Sequence, residues 1–234
     1  MNATEGVDVR VLPTAELPAR AADFIAQILV NLAAENGRVT LGLAGGTTPR
    51  AMHEALACSS AVPWLAVHVF FGDERAVPPD HPDSNYRMAK ESLLDRVPIP
   101  PSQVHRMQAE HPDRDAAARD YETVLPESLD VLVLGIGEDG HTASLFPGAE
   151  SLSESTRRVI PVIGPKPPPE RLTLTPPSIL AARYRVMLAA GAGKADAVSR
   201  ALDGPWDPIA TPAQLARRGV WFVDPAAAAK LSSR

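Results

Sequence analysis

The sequence predicts an α/β protein: a doubly wound, mostly parallel sheet in three layers, with helices on both faces. Short runs rich in β-branched and aromatic residues alternate with helical patterns along the chain. Several of the strand runs are almost entirely apolar, which is typical of strands that are buried on both faces. The 24 prolines concentrate between these runs, so they separate elements rather than interrupt them. We therefore expect a single domain that spans residues 1–234.

The predicted elements follow one another in regular order. A strand at residues 7–12 precedes a helix at 17–36, which has helical apolar spacing and ends at Gly37, a natural left-handed cap. Asp113 is the expected N-cap of a later helix. The remaining strands are predicted at residues 39–44, 67–71, 130–135, 171–175, 184–190 and 220–223. The remaining helices are predicted at residues 49–56, 86–96, 114–125 and 194–202, and the proline-rich residues 164–169 form a stiff surface loop.

Charge and composition exclude several classes of protein. With 23 Lys and Arg against 28 Asp and Glu, the formal net charge is −5, which disfavours general nucleic-acid binding because that requires clustered cations. The single cysteine, Cys58, cannot form an internal disulfide, which fits a reducing compartment. The N-terminus lacks a basic and apolar leader, and no run of about 18 apolar residues is present. We therefore expect a cytoplasmic protein without membrane contact and, since no interface stripe stands out, a monomer.

The first candidate site is the turn after the second strand, where Gly45, Gly46, Thr47 and Thr48 precede Pro49. Thr48 suits the N-cap of the next helix and Pro49 suits its first position. Glycines let the backbone approach a ligand closely, and free N–H groups at a helix N-terminus favour an anion. An ordinary tight turn is the alternative, but the two glycines and two hydroxyls favour a phosphate.

A charged triplet, Asp73, Glu74 and Arg75, directly follows the strand at residues 67–71. Ligands of open α/β sheets bind at the carboxyl ends of strands, which favours a site here over a solvated turn. Arg75 can bind a phosphate bidentately. Asp73 or Glu74 can orient another side chain or a sugar hydroxyl.

A glycine-rich stretch after the strand at residues 130–135 presents Asp139 and His141. Its spacing matches G-x-G-x-x-G, but Pro147 would end any helix that began near His141, so we do not predict a dinucleotide site. Imidazole can act first as a base and then as an acid near neutral pH, and an adjacent carboxylate can fix its tautomer. The other five of the six histidines are expected to be structural or to lie on the surface.

The strand at residues 184–190 runs into Gly191, Gly193 and Lys194. This stretch is not a Walker A motif, because it lacks the first glycine and the final Ser or Thr. A lysine at a glycine-rich helix start can still be the counter-charge of a phosphate, and a solvent-exposed lysine is the alternative. No G-x-S-x-G elbow or H-E-x-x-H motif is present and Cys58 has no thiol partner, so no metal site is predicted.

Two longer stretches resemble the signature sequences of the 6-phosphogluconolactonase family, the lactone hydrolases of the pentose phosphate pathway. They are FFGDERAVPPDHPDSNYRMAKESLL, which starts at Phe70, and GIGEDGHTASLFPG, which starts at Gly135. The turn at residues 45–49 and the Gly-x-Gly-Lys-Ala at residues 191–195 are similar to the phosphate-side segments of that family. The matching stretches run from residue 44 to residue 198. Leu180 departs from the family, whose members often have Asn there.

The resemblance implies the sugar-phosphate isomerase-like fold, which is shared with ribose-5-phosphate isomerases and glucosamine-6-phosphate deaminases. It implies that 6-phospho-D-glucono-1,5-lactone is the substrate, that 6-phosphogluconate is the product, and that no metal or organic cofactor takes part. His141 would be the catalytic residue, with Asp139 as its neighbour in the motif. The residues that match the substrate side are Gly45, Gly46, Thr47, Thr48, Arg75 and Lys194, with Arg171 as a further candidate.

For such a reaction we expect neutral His141 to take a proton from water and then to protonate the leaving ring oxygen. Backbone N–H groups of the glycine-rich loop are expected to stabilise the oxyanion. A sugar-phosphate isomerase or aminosugar deaminase is the main alternative, because those enzymes also pair a carboxylate with a histidine on this fold. A non-enzymatic sugar-phosphate sensor is not favoured, because a first strand at residues 7–12 leaves no room for a helix-turn-helix.

Overall fold

A computed structural model describes residues 7–232, whose strands form two separate sheets. The strands are β1 (Asp8–Val11), β2 (Val39–Leu43), β3 (Val67–Phe71), β4 (Asp73–Arg75), β5 (Val131–Gly135), β6 (Val159–Ile163), β7 (Glu170–Leu174), β8 (Tyr184–Ala189) and β9 (Val220–Val223). The helices are α1 (Leu17–Asn36), α2 (Thr47–Ala57), α3 (Asn85–Ser92), α4 (Arg114–Val124), α5 (Pro176–Ala181) and α6 (Ala195–Leu202). The larger sheet has the order β1-β9-β8-β5-β2-β3 with all neighbours parallel, and the smaller one has the antiparallel order β4-β7-β6. The predicted α/β class with a mostly parallel sheet is confirmed.

The strand order creates a switch point between β2 and β5. The chain passes outward from β2 to β3, whereas the strands after β5 are added on the opposite side, towards β8 and β9. With right-handed crossovers, α1 and α2 therefore lie on one face of the sheet and α6 lies on the other. Adjacent strands whose connections leave in opposite directions open a crevice at their carboxyl ends. The topology thus places a ligand site at the ends of β2 and β5.

Nearly all buried apolar side chains of the described residues form one continuous cluster around the parallel sheet. Every residue of β2 and of β9 is buried, as their apolar sequences predict. Helix α1 adds one face to this core, with Leu17, Ile25 and Leu29 almost fully buried. By length and hydropathy alone α1 could span a membrane, but half of its apolar window is buried inside the protein, which is typical of a core helix.

Gly72 marks the passage from the larger sheet to the smaller one. Its N–H donates to the Leu43 carbonyl of β2 at 2.9 Å, and its carbonyl accepts the Leu174 N–H of β7 at 2.9 Å. The charged triplet after Gly72 therefore forms strand β4 and is not a solvated turn. The predicted strand at residues 171–175 is also observed, but it pairs antiparallel with β4 and β6 in the smaller sheet.

Besides β4, two elements were not predicted, and both contain proline. Strand β6 contains Pro161, which the sheet tolerates because β6 is an edge strand. Helix α5 begins with Pro176, whose missing N–H has no partner in the first turn of a helix anyway. The predicted caps Gly37 (φ 71°) and Asp113 are confirmed, and the carboxylate of Asp113 accepts a backbone N–H at 2.9 Å. The helix predicted at residues 86–96 ends earlier, with α3 at Ser92, and a separate 3-10 turn follows.

Candidate active site

A pocket of about 220 Å³ opens at the carboxyl ends of β2, β5 and β8, and β4 and β7 form its side. It therefore lies at the switch point that the strand order creates. The predicted site residues in its wall are Gly45, Gly46, Thr47, Thr48, Asp73, Arg75, His141, Arg171 and Lys194. Asp139 lies directly beside His141. The fold therefore brings all the predicted site residues together.

His141 and Asp139 form a hydrogen-bonded pair beyond the end of β5. Oδ1 of Asp139 lies 2.6 Å from Nδ1 of His141 and also accepts the His141 backbone N–H at 3.1 Å. Because an ionised carboxylate can only accept, Nδ1 carries the proton in the neutral form of this imidazole, which leaves a lone pair on Nε2. The His141 side chain is 27% exposed, so this lone pair can meet a substrate.

The glycine-rich loop makes this pairing sterically possible. A Cβ at Gly137 would overlap both the His141 ring and the Asp139 carboxylate. Desolvation alone would raise the pKa of the Asp139 carboxyl, but hydrogen bonds from the backbone and ring of His141, together with the charge of that ring, hold this pKa below its usual value. Asp139 is therefore an ionised acceptor at neutral pH.

Two arginines lie directly opposite each other on adjacent strands of the smaller sheet. Arg75 of β4 and Arg171 of β7 are register partners, and both line the pocket. Like charges directly opposite one another destabilise a sheet, and an anion in the pocket offsets that repulsion. Arg171 is only 7% exposed. Burial lowers the pKa of Arg171, an effect that the charge of Asp73 opposes and that of Arg75 adds to.

The Arg171 guanidinium is held in place from behind by backbone carbonyls. Its Nε donates to the Pro168 carbonyl at 3.1 Å and its Nη2 to the Lys166 carbonyl at 3.2 Å. Its Nη1 has only a long contact, 3.4 Å, with Oγ of Ser144 and is the donor most available to a substrate. The cation lies 5.5 Å from the ring centroid of Phe146, and the same ring lies 4.9 Å from that of His141. Arg171 and His141 therefore share Phe146 as a neighbour.

Asp73 lines the pocket as an acceptor that is already engaged. Its Oδ2 accepts the Ser144 hydroxyl at 2.6 Å, and its Oδ1 accepts the Asn85 amide at 3.1 Å. The same amide also donates to the Asp73 carbonyl at 2.9 Å. The sequence indicated no role for Ser144 or Asn85, although both lie in the signature stretches. Their contact with Asp73 depends on how distant segments pack, and no local pattern encodes it.

Glu74 has a structural role. Its carboxylate accepts the backbone N–H groups of Arg75, Asn85 and Tyr86, each at 2.8 Å, and the Ser84 hydroxyl at 3.0 Å. Burial raises the pKa of Glu74, and these hydrogen bonds work in the opposite direction. Glu74 therefore fixes the start of α3, whereas Asp73 and Arg75 are the residues of the triplet that line the pocket.

The turn after β2 differs from its prediction at the helix start. The N-cap of α2 is Gly46, with φ 104°, so the assignment of Thr48 as N-cap is wrong. That backbone conformation favours glycine, and it lets the helix begin at Thr47. Pro49 is therefore the third residue of the helix and not, as the sequence predicts, the first, and its missing N–H still costs no hydrogen bond within the helix. The N–H groups of Thr47 and Thr48 have no partner in α2 and belong to the pocket wall, as an anion site requires.

Lys194 is the N-cap of α6 and also belongs to the pocket wall. Among residues 7–232, its ammonium has no hydrogen bond or ion pair. Together with Arg75 and Arg171 it makes the wall cationic in a chain whose net charge is −5. This local concentration of charge suits a substrate that carries a phosphate.

The carboxylates in and beside the pocket do not form a metal site. Asp73 and Asp139 are engaged by their own neighbours. Within the described part of the chain, no three His, Cys, Asp or Glu side chains come close enough together to hold a metal ion. The side chains of the wall therefore suit an anion better than a cation.

Known proteins that are similar to this chain show its family. The sequence profile described as glucosamine-6-phosphate isomerases/6-phosphogluconolactonase matches residues 13–222. The chain belongs to this family. It is 39% identical over 238 residues to a 6-phosphogluconolactonase of Nostoc sp., a match that covers 96% of this chain and 98% of that protein. It is 42% identical over 218 residues to one of Mycobacterium tuberculosis, which covers 86% and 88% of the two chains.

Solved structures of family members have the same fold. The 6-phosphogluconolactonase of Trypanosoma brucei superposes with a TM-score of 0.84 at 30% identity, over 98% of this chain and 100% of that one. A monomeric glucosamine-6-phosphate deaminase reaches the same TM-score of 0.84 at 23% identity, over 95% and 99% of the chains, and this likeness bears on the fold alone. The resemblance found from the signature stretches is confirmed.

Proposed function

We propose that this chain hydrolyses 6-phospho-D-glucono-1,5-lactone to 6-phosphogluconate. The observation that carries the proposal is the 2.6 Å contact between His141 and Asp139 in a pocket that also holds Arg75, Arg171 and Lys194. Relatives named 6-phosphogluconolactonase, 39% and 42% identical to this chain, support the choice of substrate. Because the site draws on residues from both halves of the chain, the proposal treats residues 1–234 as one domain.

His141 is the general base of the proposed reaction. Its Nε2 takes a proton from water as the water oxygen attacks C1 of the lactone, and Asp139 stabilises the imidazolium that forms. The tetrahedral intermediate then collapses with cleavage of the bond between C1 and the ring oxygen. The imidazolium returns its proton to that oxygen, which becomes a hydroxyl of the product. Such proton transfer contributes about 10²- to 10⁴-fold to a rate.

The sequence analysis expects backbone N–H groups of the glycine-rich loop to stabilise the oxyanion of the intermediate, and three of these groups are already engaged within the loop. The Gly137 N–H donates to the His141 carbonyl at 2.8 Å and the Gly140 N–H to the Gly137 carbonyl at 3.0 Å. The His141 N–H donates to Asp139. These three amides maintain the shape of the loop, so the proposal assigns the oxyanion to the remaining N–H groups of the loop.

The phosphate anchors the substrate at a distance from C1. The free N–H groups at the start of α2 and the ammonium of Lys194 are the donors that the proposal assigns to it, with Arg75 and Arg171 across the pocket. The binding energy of this remote group orients the lactone towards His141, so that the reacting atoms are correctly placed.

A sugar-phosphate isomerase or aminosugar deaminase remains the alternative, and the state of Asp73 argues against it. Such an enzyme needs a base that removes a proton from carbon. Apart from the His141–Asp139 pair, the carboxylate that could do so in the pocket wall is that of Asp73. Both oxygens of Asp73 already accept hydrogen bonds, from Ser144 and Asn85. This anchoring suits an acceptor of substrate hydroxyls better than a mobile base.

A panel of three substrates tests the proposed function. The purified protein is incubated with 6-phosphogluconolactone, glucosamine 6-phosphate and ribose 5-phosphate, and acid release, ammonia and ketose are measured, with spontaneous lactone hydrolysis subtracted. We expect turnover of the lactone alone. Ammonia or ketose production, with lactone hydrolysis at the spontaneous rate, would contradict the proposal.

A further inference from the structure

Arg200 of α6 reaches the loop that carries Asp139 and His141. Its Nη2 donates to the Asp139 carbonyl at 3.1 Å and lies 3.5 Å from the Glu138 carbonyl. The side chain is otherwise exposed and has no ion pair with any residue from 7 to 232. A guanidinium nitrogen that lies against two consecutive carbonyls restricts the path of that backbone, because the planar group fixes the directions of its N–H bonds.

Other contacts hold the same loop from the same side. The Ala213 N–H donates to the Gly140 carbonyl at 3.0 Å. Gln214, which is 2% exposed, donates through its Nε2 to the Arg200 carbonyl at 3.0 Å. These contacts form what we call the clamp: Gln214 fixes the backbone of Arg200, and the side chain of Arg200 holds the loop. The carbonyls of residues 138–140 are engaged by this clamp, whereas the Asp139 carboxylate is engaged by His141.

The turn at the start of helix α6 also contacts this loop. Gly193 precedes Lys194, and a Cβ at Gly193 would lie 2.8 Å from Oε1 of Glu138, so this turn packs directly against the loop. Helix α6 thus connects two parts of the site: Lys194 at its start belongs to the pocket wall, and Arg200 near its end holds the loop of His141.

We propose that Arg200 is a positioning residue, which holds the loop at residues 138–141 so that Nε2 of His141 faces the water that attacks a substrate anchored near Lys194. The inference rests on the proposed lactone hydrolysis. A displacement of about 1 Å at a reacting group costs about 10²-fold in rate even when binding is intact. No motif in the sequence marks Arg200, because it lies on an exposed helix face and acts through backbone atoms.

The test compares two substitutions of Arg200 with a control on a distant helix. Arg200→Met removes the donors, and Arg200→Lys keeps a cation with a shorter reach. Arg20→Met removes an exposed arginine of α1 that is remote from the pocket. For each variant, kcat and KM for 6-phosphogluconolactone, the product Kd and the thermal unfolding midpoint are measured.

We expect Arg200→Met to lower kcat by about tenfold to a hundredfold while KM and product Kd change by less than about twofold. Arg200→Lys should recover part of the lost kcat, and Arg20→Met should behave as the wild type. The inference is overturned if kcat of Arg200→Met stays within about twofold of the wild type. It is also overturned if Arg200→Lys is no better than Arg200→Met, or if KM and Kd worsen as much as kcat. A wild-type protein that does not hydrolyse the lactone contradicts the proposed function itself, so the two failures are distinguishable.

Discussion

The two walls of the pocket are built by different kinds of sheet. One wall is the carboxyl edge of the parallel sheet, where the turn at the start of α2, the loop of His141 and Lys194 each follow a strand within a few residues. The other wall is the small antiparallel sheet, whose contribution depends on the register between β4 and β7. On the first wall the position of a site residue follows from local chain order, whereas on the second it follows from long-range pairing.

The walls also differ in chemistry. The first wall holds the pair that can move a proton, because Nε2 of His141 has a free lone pair and Asp139 fixes the tautomer. The second wall holds Arg75 and Arg171, which face each other and suit an anion. Under the proposed function, substitutions of the His141–Asp139 pair should act chiefly on turnover, and substitutions of Arg75 and Arg171 chiefly on binding.

The largest effect short of removing the base is expected for Asp139→Asn. Without the carboxylate, neither the tautomer nor the imidazolium is stabilised, so kcat should fall by about 10²- to 10⁴-fold. Binding of 6-phosphogluconate should not change, because Asp139 does not line the pocket. Steady-state rates and calorimetric product binding measure both quantities. A kcat within about threefold of the wild type would show that His141 does not need its partner.

Arg171→Met should show the opposite pattern. The loss of a buried, charge-assisted donor costs about 1.5–3 kcal/mol, so the Kd for 6-phosphogluconate should rise by about tenfold to a hundredfold. Arg183→Met, which changes an exposed arginine outside the pocket wall, is the matched control. Calorimetry with the product measures Kd, and an unchanged value for Arg171→Met would remove Arg171 from the binding site.

A smaller effect concerns the stability of the first wall in acid. His53 lies on α2, fully buried; its Nδ1 is 3.2 Å from Oγ of Ser92, and its Nε2 has no hydrogen-bond partner in the described part of the chain. Burial lowers the pKa of His53 from its usual 6.5 to about 3. The unfolded chain then binds the proton more readily than the folded one. The stabilising effect of neutral His53 is therefore complete above about pH 6.5 and is lost as the pH falls towards 3.

This linkage predicts that the free energy of unfolding falls by about 1.4 kcal/mol per pH unit below pH 6.5 through this one group, or about 2 kcal/mol at pH 5. Urea unfolding of the wild type and of His53→Asn at several pH values measures the slope. The variant should be less stable at neutral pH, because it leaves a cavity, but its stability should depend less on pH. Equal slopes in the two proteins would exclude His53 as the acid-sensitive group.

The sequence predicts the first wall better than the second for a physical reason. Gly45, His141 and Lys194 each come shortly after an apolar strand, and parallel strands bring their carboxyl ends to one edge. Arg171 was a weaker candidate, because only its register with Arg75 places it in the pocket. Strand β6 was missed because Pro161 argues against a strand wherever its position at a sheet edge is unknown.

The contacts that support the site could not be predicted from the sequence, because they too depend on long-range packing. Ser144 and Asn85 meet at Asp73 only after three distant segments have packed. Arg200 contacts backbone carbonyls, which every residue type carries, so no side-chain pattern could reveal it. Patterns of local residues thus predict which groups do the chemistry, and tertiary packing decides what holds them.

The central claim is that His141 supplies proton transfer while the rest of the pocket supplies binding. It is tested most directly by measuring 6-phosphogluconolactone hydrolysis, corrected for the spontaneous rate, and product Kd in the wild type, His141→Ala and His141→Asn. The Asn amide can still donate to Asp139, which keeps the loop in place without a base. Both variants should lose about 10²- to 10⁴-fold in kcat and keep the product Kd within about twofold. A variant that hydrolysed the lactone at the wild-type rate would contradict this account.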